Sequence, residues 1–175
     1  MACQALDSRV KSESMERTLA FETINKVGET VILKGWVNSR RDHGKLVFID
    51  LRDRSGLVQV VGDEQLGNLG NEDVVEIEGE VKQRPDNLAN PNLATGKVEV
   101  KASTVKVISQ AAELPFPIDT NGYDIEETIR NKYRYLDLRR TRMNRNIKVR
   151  SKVAQFMRQW LPARDFVEIE TPILP

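Results

Sequence analysis

Val74-Val-Glu-Ile-Glu-Gly-Glu-Val81 alternates with Val75, Ile77, Gly79 and Val81 on one side and Val74, Glu76 and Glu78 on the other. A two-residue period belongs to a strand, whose successive side chains leave opposite faces, so this segment has one buried and one wet face. The same texture extends outward in both directions. Toward the N-terminus lie Leu57-Val-Gln-Val-Val61, Leu46-Val-Phe-Ile-Asp50 and Val31-Ile-Leu-Lys-Gly-Trp-Val37. Toward the C-terminus, Lys97-Val-Glu-Val-Lys101 continues through Thr104-Val-Lys-Val-Ile108. Turn residues separate the runs: Gly28, Asp42-His-Gly44 and Arg54-Ser-Gly56. The polar stretch from Asp63 to Asp73 holds either a short helix or only a loop.

Five strands between Val31 and Ser109 with a connection after the third predict a small barrel or sandwich. This is the arrangement of an OB-fold, whose second and third strands commonly face oligonucleotides; a small Greek-key barrel without a ligand has the same strand count. Beyond residue 110 the texture changes. Leu114-Pro-Phe-Pro117 cannot pair inside a sheet because each proline lacks the backbone donor, and Asp119-Thr-Asn-Gly122 is a turn cluster. Residues 111–132 therefore read as a hinge, with a short helix expected in Asp124–Arg130. From Tyr133 the period becomes helical. Ile147, Val153, Phe156, Met157, Trp160 and Leu161 recur at three- and four-residue spacings, and Pro162 should end that helix. Phe166-Val-Glu-Ile-Glu170 is expected to form a short alternating strand. One helix and one strand bury no core alone, so 133–175 is expected to open a domain whose remainder lies elsewhere.

Charged residues make up 30% of the 175 positions yet leave a net charge of +1, so no global field draws the chain to a polyanion. Nucleic-acid binding would need a local patch, weakened by salt. The single cysteine, Cys3, and single histidine, His43, exclude a disulfide framework and a zinc site of their own. No apolar run approaches the ~20 residues that span a membrane, and residues 1–14 lack the apolar core of a signal peptide. Residues 1–14 are read as a leader or disordered extension, 15–110 as the barrel, and the location as cytoplasmic.

Three segments resemble the bacterial-type aspartyl-tRNA synthetases, which are class II enzymes. They are Gly35-Trp-Val-Asn-Ser-Arg-Arg-Asp-His-Gly44 running into Phe48-Ile-Asp-Leu-Arg-Asp-Arg-Ser-Gly56, then Arg84-Pro-Asp-Asn87 with Asn90-Pro-Asn-Leu-Ala-Thr-Gly96, and Tyr133-Arg-Tyr-Leu-Asp-Leu-Arg-Arg140 followed by Asp165-Phe-Val-Glu-Ile-Glu-Thr-Pro172. The last resembles class II motif 1, with Asp165 where that family usually has glycine. Lysyl- and asparaginyl-tRNA synthetases share the layout; Arg40-Arg41-Asp42 and the Phe-Ile-Asp-Leu-Arg-Asp-Arg run favour the aspartyl branch. The resemblance implies a mainly β chain: an OB-fold anticodon-binding barrel, a hinge, and the helix-plus-strand start of a class II α+β catalytic domain, truncated before motifs 2 and 3. It implies an enzyme that charges tRNA with aspartate using ATP and magnesium, neither expected to bind this chain, and a homodimer away from membranes.

The resemblance also implies site residues. Phe48 would be a stacking platform for the middle anticodon base, although read by pattern alone it is a core residue between Val47 and Ile49. Gln59 offers a donor and an acceptor to a base edge, and Arg41 a bidentate fork; each is otherwise a solvated surface residue. Lys82, Arg84 and Asn87 would read the remaining anticodon bases or serve as plain loop charges. His43 occupies a position associated with enzymes that also accept the tRNA for asparagine, while Asn87 resembles the discriminating type, so that choice stays open with a lean toward relaxed. Phe166, Glu168 and Pro172 would belong to the motif 1 dimer interface. Trp36 is expected in the barrel core, and Arg52 and Arg54 in a salt-bridge lattice with Asp50 and Asp53. The arginines from Arg139 to Arg158 are expected on a solvated helix face, or in contact with tRNA or a second subunit. A free-standing barrel that binds single strands without preference is the competing expectation.

Overall fold

The computed structural model describes residues 16–44 and 46–173; the expected leader over 1–14 lies outside them. The chain divides into two compact units, the first ending at Glu113 and the second beginning at Leu114.

In the first unit, β1 (Arg17–Thr18) precedes a 3-10 turn over Ala20–Asn25, and then come β2 (Thr30–Asp42), β3 (Val47–Arg52) and β4 (Leu57–Gly62). The short helix α1 (Glu64–Gly67) follows, then β5 (Val74–Gln83) and β6 (Val98–Ser109). The order β2-β3-β4-β6-β5 closes through a further pairing of β2 with β5. Closure rests on the length of β2. Its first half, Thr30–Trp36, runs antiparallel to β5, and its second half, Trp36–Asp42, runs antiparallel to β3. A register shift between Val37 and Ser39 supplies the bend at the changeover. The result is a closed five-stranded OB-fold barrel.

Alternation fills its interior. Val31, Leu33 and Val37 from β2 meet Val47, Ile49 and Leu51 from β3 and Val75, Ile77 and Val81 from β5, all buried. Two glycines let strands cross closely: a Cβ on Gly35 would stand 2.4 Å from the Arg52 carbonyl oxygen, and one on Gly79 2.4 Å from that of Lys101. Between Asp63 and Asp73 the chain forms the short helix rather than a bare loop. The Asp63 carboxylate accepts the Gln65 backbone N–H at its start, and Leu66 is fully buried. Trp36 departs from expectation. The buried phase of β2 is Val31, Leu33, Gly35 and Val37, which leaves Trp36 half-buried on the opposite face rather than in the core.

Asp53, at the end of β3, ties the N-terminal turn to the barrel. Its carboxylate accepts N–H groups from Ala20 (2.8 Å), Ser55 (2.7 Å) and Gly56 (3.3 Å) and the Ser55 hydroxyl (2.6 Å). Burial pushes its pKa up, but these hydrogen bonds from Ser55, Ala20 and Gly56 together outweigh that and hold it below the ordinary carboxylate value.

The second unit contains α2 (Glu127–Lys132), α3 (Arg134–Asp137) and α4 (Thr141–Trp160). The short helix starts three residues later than the expected 124–130 segment. Its small core is Phe116, Ile118 and Leu136, with Leu114, Ile125 and Tyr133 packed against them. Arg140 corrects the expectation of a solvated basic face, because its side chain is fully buried. Its Nε donates to Asp137 Oδ1 at 2.9 Å, its Nη1 donates to the Thr120 carbonyl and hydroxyl, and its guanidinium lies over the Phe116 ring. The positive φ of Gly122 suits this packing, since a Cβ there would come 2.8 Å from Arg140 Nε.

Helix α4 ends at Trp160, and Pro162 starts a 3-10 turn. Asp165 has a φ of 65°, the left-handed conformation that glycine adopts without cost, at the position where the resemblance would lead one to expect glycine. The strand expected over 166–170 does not form. Among the described residues that segment has no ladder partner, and a lone extended chain leaves its backbone groups to solvent.

Candidate nucleic-acid interface

The outward side chains of the barrel line up in two rows across β2, β3, β4, β6 and β5. Because Val47, Ile49 and Leu51 point inward, Phe48, Asp50 and Arg52 point outward. One row runs through the register partners Arg41, Phe48 and Val61 to Lys101. The neighbouring row runs from Ser39 through Asp50 to Gln59, reaches Glu99 on β6, and ends at Lys82 on β5. Phe48 is thus partly exposed and not a core residue. The His43 ring stands edge-on to it, centroids 5.5 Å apart, as the loop after β2 folds back with the His43 backbone N–H donating to the Leu46 carbonyl.

Hydrogen bonds stitch these rows together. Arg41 Nη2 donates to Asp50 Oδ1 at 2.9 Å and the Ser39 hydroxyl to Asp50 Oδ2 at 2.7 Å. Gln59 is 5% exposed, in contrast to the solvated surface residue that was its alternative reading. Its Nε2 donates to Glu99 Oε2 at 3.0 Å and its Oε1 accepts from Arg84 Nη1 at 3.2 Å, while Arg84 Nε lies 3.6 Å from Glu99. The amide of Gln59 is therefore oriented before any ligand arrives. Asp50 and Glu99 were missed as members of the site. Their signal was the parity that exposes Phe48: Asp50 is two residues on, and Glu99 stands between the inward Val98 and Val100.

The expected lattice of Arg52 and Arg54 with Asp50 and Asp53 takes another form. Arg52 reaches Asn38 (2.8 Å) and Glu72 (2.5 Å), whereas Asp50 serves Arg41 and Ser39. Lys82 is exposed beside Glu80 at 3.3 Å. Asn87 sits in an exposed 3-10 turn over Asp86–Leu88, on a loop pinned where the buried Thr95 hydroxyl donates to the Leu57 carbonyl at 2.5 Å. Arg41, His43 and Phe48 are thus gathered on one side, and Gln59, Arg84 and Lys82 around Glu99 on the other, with Asn87 on the loop beyond β5. In the second unit, Phe166 is exposed, and Glu168 accepts from Arg158 at 3.0 Å.

Similarity to known proteins follows the same division. Residues 31–108 match the family described as OB-fold nucleic acid binding domain, and residues 126–175 that described as tRNA synthetases class II (D, K and N). An aspartate–tRNA(Asp/Asn) ligase from Heliobacterium modesticaldum is 48% identical over 159 residues, which cover 86% of this chain and 26% of that protein. Its counterpart from a Nocardioides species is 54% identical over 150 residues, 85% of this chain and 25% of that protein. The chain spans about a quarter of the length of these relatives. Among solved structures, an asparaginyl-tRNA synthetase from Pyrococcus horikoshii matches with a TM-score of 0.72 and 29% identity over 92% of this chain and 39% of its own. An aspartyl-tRNA synthetase from Entamoeba histolytica shares the fold at a TM-score of 0.80 and 20% identity, covering 99% of this chain and 42% of its own. Over 31–108 the chain thus matches the OB-fold nucleic acid binding domain of the tRNA anticodon type, and over 126–175 the class II tRNA synthetases of the D, K and N group.

Proposed function

We propose that this chain is the anticodon-reading part of an aspartate–tRNA ligase, and that the outer face of β2, β3 and β4 binds the anticodon loop. The observation that carries this reading is the partly exposed Phe48, flanked by His43 and Arg41 on a charge-balanced sheet face. Single-stranded RNA is recognised by stacking splayed bases on aromatic rings and hydrogen-bonding their open edges. Phe48 supplies the ring. Gln59, held between Arg84 and Glu99, offers its remaining N–H and lone pair to a base edge, and Lys82 and Asn87 border the same face.

The parent enzyme, in this reading, joins aspartate to tRNA at the expense of ATP with magnesium, in the cytoplasm. The relatives bear names that include both the aspartate and asparagine tRNAs, and His43 beside the stacking ring agrees with acceptance of both. Among the described residues no group of three or more His, Cys, Asp or Glu is placed to hold a metal ion. No helix of the described residues is long and apolar enough to cross a membrane. Phe166, Glu168 and Pro172 are assigned to a homodimer contact, consistent with the exposed apolar side chains around them.

The test is titration of the chain with stem-loops carrying the aspartate, asparagine and lysine anticodons and with a random single strand. The aspartate and asparagine loops should bind most tightly. Phe48→Ala should weaken them by ~1–3 kcal/mol through lost stacking. Equal affinity for all four RNAs, or an unaffected Phe48→Ala variant, would overturn the reading.

A further inference from the structure

We propose that Asp50 is a positioning residue of the RNA face: its carboxylate fixes the Arg41 guanidinium beside Phe48, so that Arg41 meets a base edge instead of sweeping over phosphates. The inference rests on the reading of this face as the anticodon-binding surface. A carboxylate on a surface that receives a polyanion opposes binding by simple charge, so its presence in the middle of this face calls for a compensating role. The geometry points to one. Both Asp50 oxygens are taken by β2, Oδ1 by Arg41 Nη2 at 2.9 Å and Oδ2 by the Ser39 hydroxyl at 2.7 Å. The Asp50 side chain is only 16% exposed, whereas that of Arg41 is 48% exposed. The pair is therefore anchored at its acid end and open at its basic end. Arg41 is the register partner of Phe48, and Asp50 follows Phe48 on the same face of β3.

An ion pair whose basic end is this exposed contributes little to fold stability, so its value lies in restricting the arginine. A guanidinium held at one Nη keeps its other N–H groups in a defined plane, the geometry that matches a hydrogen-bonding edge, and loses less rotamer freedom on binding.

The experiment uses the full chain and two RNA hairpins with the same stem, one carrying the aspartate anticodon loop and one a loop of uridines. Asp50→Asn and Asp50→Ala should each weaken binding of the first hairpin about tenfold, although each makes the chain more positive, and leave the second nearly unchanged. Arg41→Ala should show the same selective loss, and the double variant Arg41→Ala/Asp50→Ala should be no worse than Arg41→Ala alone. Without RNA, the two Nη groups of Arg41 should give separate NMR signals in the unmodified chain and a single averaged signal in Asp50→Asn, with an unchanged melting temperature. Tighter binding by Asp50→Ala, additive losses, or averaged Arg41 signals in the unmodified chain would overturn the proposal. If the unmodified chain binds both hairpins equally while its Arg41 signals stay separate, anticodon reading fails; positioning then survives only if Asp50→Asn and Arg41→Ala still show equal, non-additive losses.

Discussion

The barrel strands and helix α4 carry apolar residues at equally regular spacings, yet they meet opposite fates. Val75, Ile77 and Val81 on β5 are sealed from solvent, whereas Val153, Phe156, Met157 and Trp160 on α4 are all exposed, Phe156 to 62%. The difference lies in closure. Five strands returning on themselves through the β2–β5 pairing give every inward side chain a facing partner within the same unit. Helix α4 has no buried residue, because its unit offers only the small core around Phe116, Ile118 and Leu136. Periodicity reports which face wants burial; the supply of partner surface decides whether burial happens.

Substitutions can break or sharpen this contrast. The largest effect is expected where the second unit buries an ion pair completely, Arg140 with Asp137. Arg140→Leu should leave the Asp137 carboxylate buried without its buried partner, facing the partly exposed Arg134, at a cost of ~3–5 kcal/mol. Hydrogen exchange at the backbone amides of 136–140 would register it, and unchanged protection would mean that the pair is not what orders this unit. In the barrel, Ile49→Ala removes a fully buried side chain and should lower the stability to denaturant by ~2–5 kcal/mol.

A smaller effect is expected at the junction of barrel and N-terminal turn. The Asp53 carboxyl titrates below its ordinary value in the folded chain, so its ionised form stabilises the fold at pH values above the unfolded-state pKa. That contribution is lost as pH falls through the lowered folded-state value. Asp53→Asn should therefore cost about 1–2 kcal/mol near neutrality and flatten the acid side of the stability–pH curve. An unaltered acid slope would place the titrating group elsewhere. The smallest change belongs to α4: Phe156→Ser at low protein concentration should shift stability by less than ~0.5 kcal/mol, measured by thermal melting. A large loss would show that this face is already covered in solution.

The site was only partly legible in advance. The local pattern left Phe48 in the core and the resemblance turned it outward; the structure agrees with the second, because Val47 and Ile49 take the inward face of β3 and a strand alternates. Trp36 obeyed the same rule and was misplaced, since its bulk suggested core while the phase set by Val31, Leu33 and Val37 put it outside. Gln59 is a different case. Its burial comes from Arg84, 25 residues away, and Glu99, 40 residues away, and no local pattern in Leu57–Gly62 contains them. The missing strand at 166–170 shows the converse: alternation was present, but a strand exists only where a neighbour pairs with it.

By itself, the sequence determined the period of each segment and the stop of α4 before Pro162, because these depend on backbone geometry and side-chain direction within a few residues. Tertiary structure alone decided that β2 would pair on both sides and close the barrel, that Asp50 would serve Arg41 rather than Arg52, and that Arg140 would be buried. Each of these outcomes depends on groups brought together from distant positions, and the competition among charged partners is settled by distance in space, not by spacing along the chain.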